Sequence, residues 1–483
     1  MLKNFWTASG MVTLEQAWPR HRMLLWGIVL TGFLLVSFAG NLNRGLLETT
    51  EGRYAECARE MLETGNFLVP TLNYAPHWSK PPMAYWAMAA GMALTGPGEA
   101  GARLGSAVAF LCTGLLTTWL AWRLWGELAG FIALGVYSTS VLPILGATFL
   151  SSDMVLTLWE TLAVVCYIFW TRSEHHSGAL VVTMWTAFGL AFLTKGPPGL
   201  LPLLAIIPWH IWRFRNMRLL HPGGLILFAL LAFGWFGYIM WKHPDLFSYY
   251  IKEEVVARLT SDRFHRNPEW YKPLVIFAPV LILGEAHWFW LSGSLKKAWR
   301  EFPRDQRIFL GLWFALPLAI FCLAKSRLPL YVLPLSIPLT LFLANAIARK
   351  RNTVRLRNAG ALFLGLVLLV VLTRSLLGLV PMHQNMRQLH ADVAGAGEGQ
   401  IVALLKEKAY GLQFYAAGKV NWIGAKGEQR KDSLRSFLQS ASGKFRLVAR
   451  AKDRPMVEEA LRARKTHGST REMNDWIVVT FVL

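Results

Sequence analysis

Residues 47–86 read LETTEGRYAECAREMLETGNFLVPTLNYAPHWSKPPMAYW and follow directly on the apolar run 23–41. Charges, aromatics and prolines crowd beside a segment long enough to cross a bilayer. Glu48, Glu51, Arg53, Glu56, Arg59 and Glu60 would be costly against lipid, so the patch reads as a polar site at the membrane boundary. Tyr54, Cys57, Ala58, Met61 and Leu62 have the spacing of one helical face, and Gly65 is a natural stop. Residues 83–94, after Lys80-Pro81-Pro82, read as a second, apolar helix. Both helices are expected to lie along the membrane surface.

Of the 483 residues, 54% are hydrophobic and 16% charged, with 22 Trp and 28 Phe. With a mean hydropathy of +0.35, this argues for a multi-spanning membrane protein and against a large soluble enzyme. The net charge of +21 does not signal nucleic acid, because the basic residues sit between apolar runs, where they set topology. Cys57, Cys112, Cys166 and Cys322 are scattered without a CxxC, so neither a disulfide framework nor a zinc site is indicated.

Apolar runs predict spans near 23–41, 102–122, 127–147, 153–171, 179–194, 197–212, 223–241, 273–292, 308–323, 328–348 and 359–379, about eleven in all. The first run, preceded by Arg20 and Arg22, reads as an uncleaved anchor with a cytoplasmic N-terminus. Alternating from there puts basic residues in every short inside loop, from the single Arg123 and Arg172 to clusters. Examples are Arg213, Arg215 and Arg218, then Lys296, Lys297 and Arg300, then Arg349, Lys350 and Arg351. The same alternation sends the 42–100 loop, Asp153, Lys195, the 243–271 loop, Lys325 and Arg327 to the outer face. Any one of these could be a snorkelling or capping residue. Together they predict one outer-face site with acidic and basic members.

From about residue 381 the texture changes. Ile401–Leu405, Leu412–Tyr415, Phe445–Ala449 and Trp476–Val482 read as strands, and Asp453–Arg464 as an amphipathic helix. The expected architecture is an all-α multi-spanning module over 1–380, with amphipathic outer-face helices in the 42–100 loop, and a small α/β domain over 381–483.

An enzyme on the outer face has no nucleotide supply, so a lipid-linked phosphate sugar suits it as donor. Transfer from such a donor needs a carboxylate to activate an acceptor hydroxyl, and cations to hold the phosphate. The carboxylates on offer are Glu48, Glu51, Asp153 and Glu254, and the cations Arg53, Lys80, Lys195, Arg258, Lys325 and Arg327. No P-loop, GxSxG or HExxH supports a competing chemistry. His77, His243 and His265 lack ligand spacing, so no metal is expected.

Glu51-Gly52-Arg53-Tyr54-Ala55-Glu56 followed by Ala58-Arg59-Glu60-Met61-Leu62 resembles the first outer loop of the C-type (GT-C) membrane glycosyltransferases. The lipid A aminoarabinose transferases are most similar, and the protein O-mannosyltransferases more distant. Val69-Pro70, Lys80-Pro81, Tyr85-Trp86, Asp153, Thr194-Lys195-Gly196, Tyr249-Tyr250 with Glu254 and Arg258, and Ala324-Lys325-Ser326-Arg327 with Tyr331 continue the likeness over roughly residues 23–345. It implies a polyprenyl-phosphate sugar donor, a carboxylate of the first outer loop near the reaction centre, and no cofactor. It also implies Lys80, Lys195, Arg258, Lys325 and Arg327 near the phosphate, with Tyr54, Tyr85, Glu254, His265 and Tyr331 around the substrate.

Two departures matter. Thr50 stands where the family usually has Asp, and Ser79 where it tends to have Glu. A threonine hydroxyl cannot act as a base near neutral pH. Glu51 is the first replacement candidate, ahead of Glu48 and Asp153, and its alternative role is an ion pair with Arg53 or Arg59. The expected function is transfer of a sugar to a lipid or glycan acceptor, lipid A modification being favoured, in a bacterial cytoplasmic membrane. The other readings are a protein O-glycosyltransferase and a non-catalytic polyprenyl-lipid binder or transporter. Membrane lipids are expected partners, and nucleic acid is not.

Overall fold

The computed structural model describes residues 22–41, 44–173, 177–262, 264, 266–350, 353–380, 385–404, 409–423, 430–473 and 475–483. Chain contacts divide it into two compact units: residues 1–39, 78–87 and 103–374, and residues 40–77, 88–102 and 375–483. This differs from a cut at 380. The charged first loop belongs with the C-terminal residues because its buried carboxylates and carbonyls bond to them: Gly411 N donates to Glu48 (2.8 Å) and Met386 N to Leu46 O (3.0 Å).

The first unit is a helical membrane module. Among the described residues seven helices are long and apolar enough to cross a bilayer, or eight if Glu127–Thr139 and Val141–Thr148, bent by 57° at Ser140, form one span. Arg22–Phe38 and the apolar part of the helix ending at Leu376 are shorter. The expected span 197–212 is broken into a 3₁₀ turn, Pro197–Leu200, and a helix of 12 residues, Leu203–Phe214, shorter than the seven. The prolines at 197 and 198 lack N–H groups and shorten the helical ladder. The chain is a multi-pass membrane protein.

Small and polar residues set the approach of the spans. A Cβ on Gly189 would sit 2.9 Å from Leu231, so the helices Gly178–Lys195 and Pro222–Lys242 approach closely there. Trp125 Nε1 donates to Gln306 (2.9 Å), Trp288 Nε1 to Thr139 (2.9 Å) and Ser140 Oγ to Glu285 (2.6 Å). These bonds join elements far apart in sequence inside an apolar core.

In the second unit the helix Thr50–Thr64 ends at Gly65, whose φ of 69° is the left-handed cap. It was expected on the membrane surface but is buried on most of its faces, because its charges have partners within the unit. Strands β1 (Thr71–Leu72) and β2 (Ala75–Pro76) form a hairpin whose tip, Asn73 and Tyr74, takes positive φ at both positions. The C-terminal part is an α/β sheet of β3 (Gln400–Leu404), β4 (Val420–Ile423), β5 (Lys444–Arg450), β6 (Gly468–Met473) and β7 (Trp476–Val482), in the order β4-β3-β5-β7-β6. β3 runs parallel to β4 and β5, and β7 antiparallel to β5 and β6. Val402, Leu447 and Val479 fill the core on one face, Ile401, Val448 and Val478 on the other. Burial on both faces explains the continuous apolar runs. Leu412–Tyr415, expected as a strand, lies in the short helix Tyr410–Tyr415. A four-residue apolar run cannot distinguish the two, and Glu48 pins Gly411 at its start.

Candidate active site

The motif around Lys195 shows how local sequence builds the site. The helix Gly178–Lys195 stops because Gly196 turns at φ 78°. The returning chain packs so close that a Cβ on Gly199 would meet the carbonyl of Ala191 at 2.6 Å. Lys195 therefore sits at a helix C-terminus, where a cation is favoured. Its Nζ donates to Asp153, the first residue of the helix Asp153–Arg172, where a carboxylate is equally favoured. The same ammonium lies 4.3 Å from the ring centre of Tyr331.

Lys195 and Tyr331 line a cavity of about 540 Å³ in the first unit. Its body is apolar, with Phe192, Phe233, Phe236, Phe247 and Phe321 in the walls, and one end carries Lys80, Lys195, Glu254 and Arg258. Glu254 lies on the π-helical segment Tyr250–Val256, between the helices Asp245–Tyr249 and Ala257–Thr260. Such widened turns are frequent at functional sites. Its carboxylate accepts from Lys80 Nζ (3.1 Å), Arg258 Nε (3.0 Å), Arg258 Nη2 (2.9 Å) and Tyr249 Oη (3.5 Å). Burial pushes Lys80 down to about 8, against the pull of Glu254. Burial alone would raise the Glu254 carboxyl, but Lys80 and Arg258 hold it below its ordinary value. Burial raises the Tyr249 hydroxyl to about 12. Two buried hydroxyls in the wall, Tyr250 Oη and Ser326 Oγ, have no hydrogen-bond partner among the described residues. Unsatisfied polar groups in a cavity wall suit a ligand with polar atoms.

The segment 324–327 is stitched to the other wall: Lys325 N bonds Leu259 O (3.1 Å), Ser326 N Arg258 O (3.1 Å) and Arg327 N Arg266 O (2.8 Å). Arg327 does not line the cavity. Its guanidinium clamps the carbonyls of Asn267, Glu269 (both 2.8 Å) and Cys322 (2.9 Å). Lys325 is half-exposed and pairs with Asp262 at 3.5 Å. Arg266 donates to Tyr331 Oη at 3.1 Å. Tyr85 is fully buried outside the cavity lining, and His265 lies outside the described residues.

Glu48, Glu51, Arg53 and Tyr54 belong to the second unit. Both oxygens of Glu51 accept from Arg44 (2.7 and 2.8 Å), and one also accepts from Leu47 N (2.9 Å). The ion-pair role is therefore filled by Arg44. Arg59 binds Glu56 (2.7 and 2.8 Å) and Glu63 (2.8 Å). Burial raises the Glu48 carboxyl to about 8, against its bond from Gly411. Arg53 sits 5.6 Å over the ring of Tyr54. Sequence reasoning did not single out Arg44, Asp262, Tyr249, Tyr250 or Ser326 as site residues. Only the Tyr249-Tyr250 pair offered a signal, as two aromatics four and five residues before Glu254.

A family profile described as dolichyl-phosphate-mannose-protein mannosyltransferase matches residues 79–241, the stretch that carries Lys80, Asp153 and Lys195. An undecaprenyl phosphate-alpha-4-amino-4-deoxy-L-arabinose arabinosyl transferase of Pseudomonas fluorescens is 30% identical over 82% of this chain and 73% of its own length. The chain belongs to this family of GT-C membrane glycosyltransferases. A family member from Erwinia tasmaniensis is 35% identical over 62% of this chain, and one from Pseudomonas aeruginosa 32% over 72%. The chain spans 55% and 65% of these two relatives' lengths. Among solved structures, ArnT from Cupriavidus metallidurans bound to undecaprenyl phosphate superposes with a TM-score of 0.78, 20% identity, and coverage of 95% of this chain and 97% of that one. The Archaeoglobus fulgidus oligosaccharyltransferase superposes at 0.52, with 11% identity, over 92% of this chain and 69% of its own. Both share the fold of the family.

Proposed function

We propose that this chain transfers a sugar from a polyprenyl-phosphate donor to an acceptor on the outer face of a bacterial inner membrane, and that the acceptor is lipid A. The cavity carries this reading: an apolar body suits a prenyl chain, and Lys80 and Arg258 at one end suit a phosphate. The names of the relatives, undecaprenyl phosphate-linked aminoarabinose arabinosyl transferases, support both the donor and a pentose. Eleven spans, if the eight are joined by the shorter helices Arg22–Phe38, Leu203–Phe214 and Gly360–Leu376 as crossings, would place the cavity mouth and the C-terminal α/β domain in the periplasm.

In this mechanism the acceptor oxygen attacks the anomeric carbon while the bond from that carbon to the phosphate oxygen breaks. Asp153 takes the proton from the acceptor hydroxyl, with Lys195 holding the carboxylate in place. The electron pair leaves on the phosphate, where Lys80 and Arg258 stabilise the new charge. Asp153 is assigned ahead of Glu51 because the Glu51 oxygens are taken by Arg44. This also removes the need for an aspartate where Thr50 stands. Tyr331 orients Lys195 through its ring. The profile's description keeps a protein acceptor as the second reading.

Purified protein in nanodiscs, given undecaprenyl-phosphate-linked aminoarabinose with lipid A or with envelope proteins, tests this. A lipid A mass increase of one aminoarabinose with release of undecaprenyl phosphate is expected. Transfer to protein alone would move the acceptor, and carrier binding without transfer would leave only a lipid binder.

A further inference from the structure

Lys80 and Arg258 do not face the cavity as bare cations. Glu254 stands between them, bonded to both, and Tyr249, Tyr250 and the adjoining Glu253 are titratable groups beside it. At the same end of the cavity Lys195 has its own carboxylate in Asp153. Among the described residues the cluster Lys80, Glu254 and Arg258 therefore carries two positive charges against one negative, a single net charge. The four side-chain bonds to Glu254 come from three different residues, and Lys80 and Glu254 expose only 15% and 14% of their side chains, so this charge acts in a poorly screened place.

A transferase of the proposed kind meets two phosphates in turn. The loaded donor is a phosphodiester with one negative charge. The spent carrier is a monoester, with a charge of about −1.5 to −2 near pH 7 because its second pKa is ≈ 6. Two uncompensated cations would hold the spent carrier harder than the loaded one and slow turnover.

We propose that Glu254 is a specificity-determining residue: its carboxylate lowers the charge of the Lys80–Arg258 pair so that the site does not favour the doubly charged spent carrier over the singly charged donor. This rests on the donor reading of the cavity. Glu254 touches no reacting atom. It acts through the two cations, and opposes whichever phosphate carries more charge.

The test is equilibrium binding of undecaprenyl phosphate and of its methyl diester to the full chain in nanodiscs, for wild type, Glu254→Gln and Glu254→Asp, at pH 5 and pH 7. Glu254→Gln should tighten the monoester about tenfold more than the diester at pH 7, and much less at pH 5, where the monoester is singly charged. Glu254→Asp should keep the wild-type ratio. In transfer assays Glu254→Gln should lower kcat with no rise in donor KM, and show stronger inhibition by added undecaprenyl phosphate. A Glu254→Gln change that weakens or tightens both lipids equally at both pH values overturns the proposal, because a merely structural role does not read phosphate charge. Should that variant fail to fold, wild type alone decides. Its monoester affinity should change less than about threefold from pH 5 to pH 7, and a tenfold gain overturns the proposal. If Lys80→Ala and Arg258→Ala weaken neither lipid, the donor reading itself fails, a result separable from the others.

Discussion

Lys80 offers a prediction that can be worked through from its surroundings. Burial brings its ammonium to about 8, so it loses its charge within a range where the membrane and the lipid are stable. A group with a folded value lowered to about 8 is about nine-tenths charged at pH 7 and about one-tenth charged at pH 9. A bound phosphate holds the ammonium charged, so protonation must be supplied on binding above pH 8. Affinity for undecaprenyl phosphate should therefore fall about tenfold between pH 7 and pH 9, or about 1.4 kcal/mol. Neither Tyr249 nor the lipid masks this: the Tyr249 hydroxyl is raised to about 12, and the monoester is dianionic above pH 7. Lys80→Arg should flatten the profile, and Lys80→Met should lower affinity at pH 7 and flatten it too. The assay is lipid binding in nanodiscs by native mass spectrometry across pH 6.5 to 9.5. A wild-type profile that stays level to pH 9 would refute the reasoning.

Three further outcomes are expected. Asp153→Asn should reduce transfer by roughly 10²- to 10⁴-fold with donor affinity within a few-fold of wild type, and an unchanged rate would remove Asp153 as the base. Arg44→Met removes the ion-pair partner of the buried Glu51 carboxylate and should cost about 3–5 kcal/mol in unfolding, whereas Arg44→Met with Glu51→Leu should recover most of it, as thermal melts of the purified protein would report. Glu48 is raised to about 8, so the folded chain keeps its proton after the unfolded chain has released it, and its contribution is full below 4.5 and lost as pH rises to about 8. That loss is on the order of 5 kcal/mol. Glu48→Gln should remove this part of the slope of stability against pH between 5 and 8, and an unaltered slope would count against a protonated Glu48.

The sequence carried the membrane module because long apolar runs have one common solution in lipid. It also carried the joining of Lys80, Asp153, Lys195 and Arg258, since alternation of the eleven expected spans sends their segments to one side, while Tyr331 came from the family resemblance. Partner choice was not legible. The ion-pair partner of Glu51 was sought at Arg53 or Arg59 because Arg44, seven residues earlier, had no reason to be singled out before the chain folded back on it. Arg327 looked like a phosphate ligand because its motif is basic, yet its two terminal nitrogens are forked over three carbonyls. The 197–212 run passed a hydropathy test that cannot see how far the prolines shorten the helix. Leu412–Tyr415 was decided by a contact from residue 48, beyond the reach of any local window.

The most direct measurement is a cryo-electron microscopy map of the chain in nanodiscs with undecaprenyl phosphate. The prenyl chain should lie along Phe192, Phe233 and Phe236, with the phosphorus within hydrogen-bond reach of Lys80 and Arg258 and with Glu254 moved off at least one of them. A lipid bound elsewhere, with the Lys80–Glu254–Arg258 cluster undisturbed and the cavity filled by water, would contradict the assignment of this cavity to the donor.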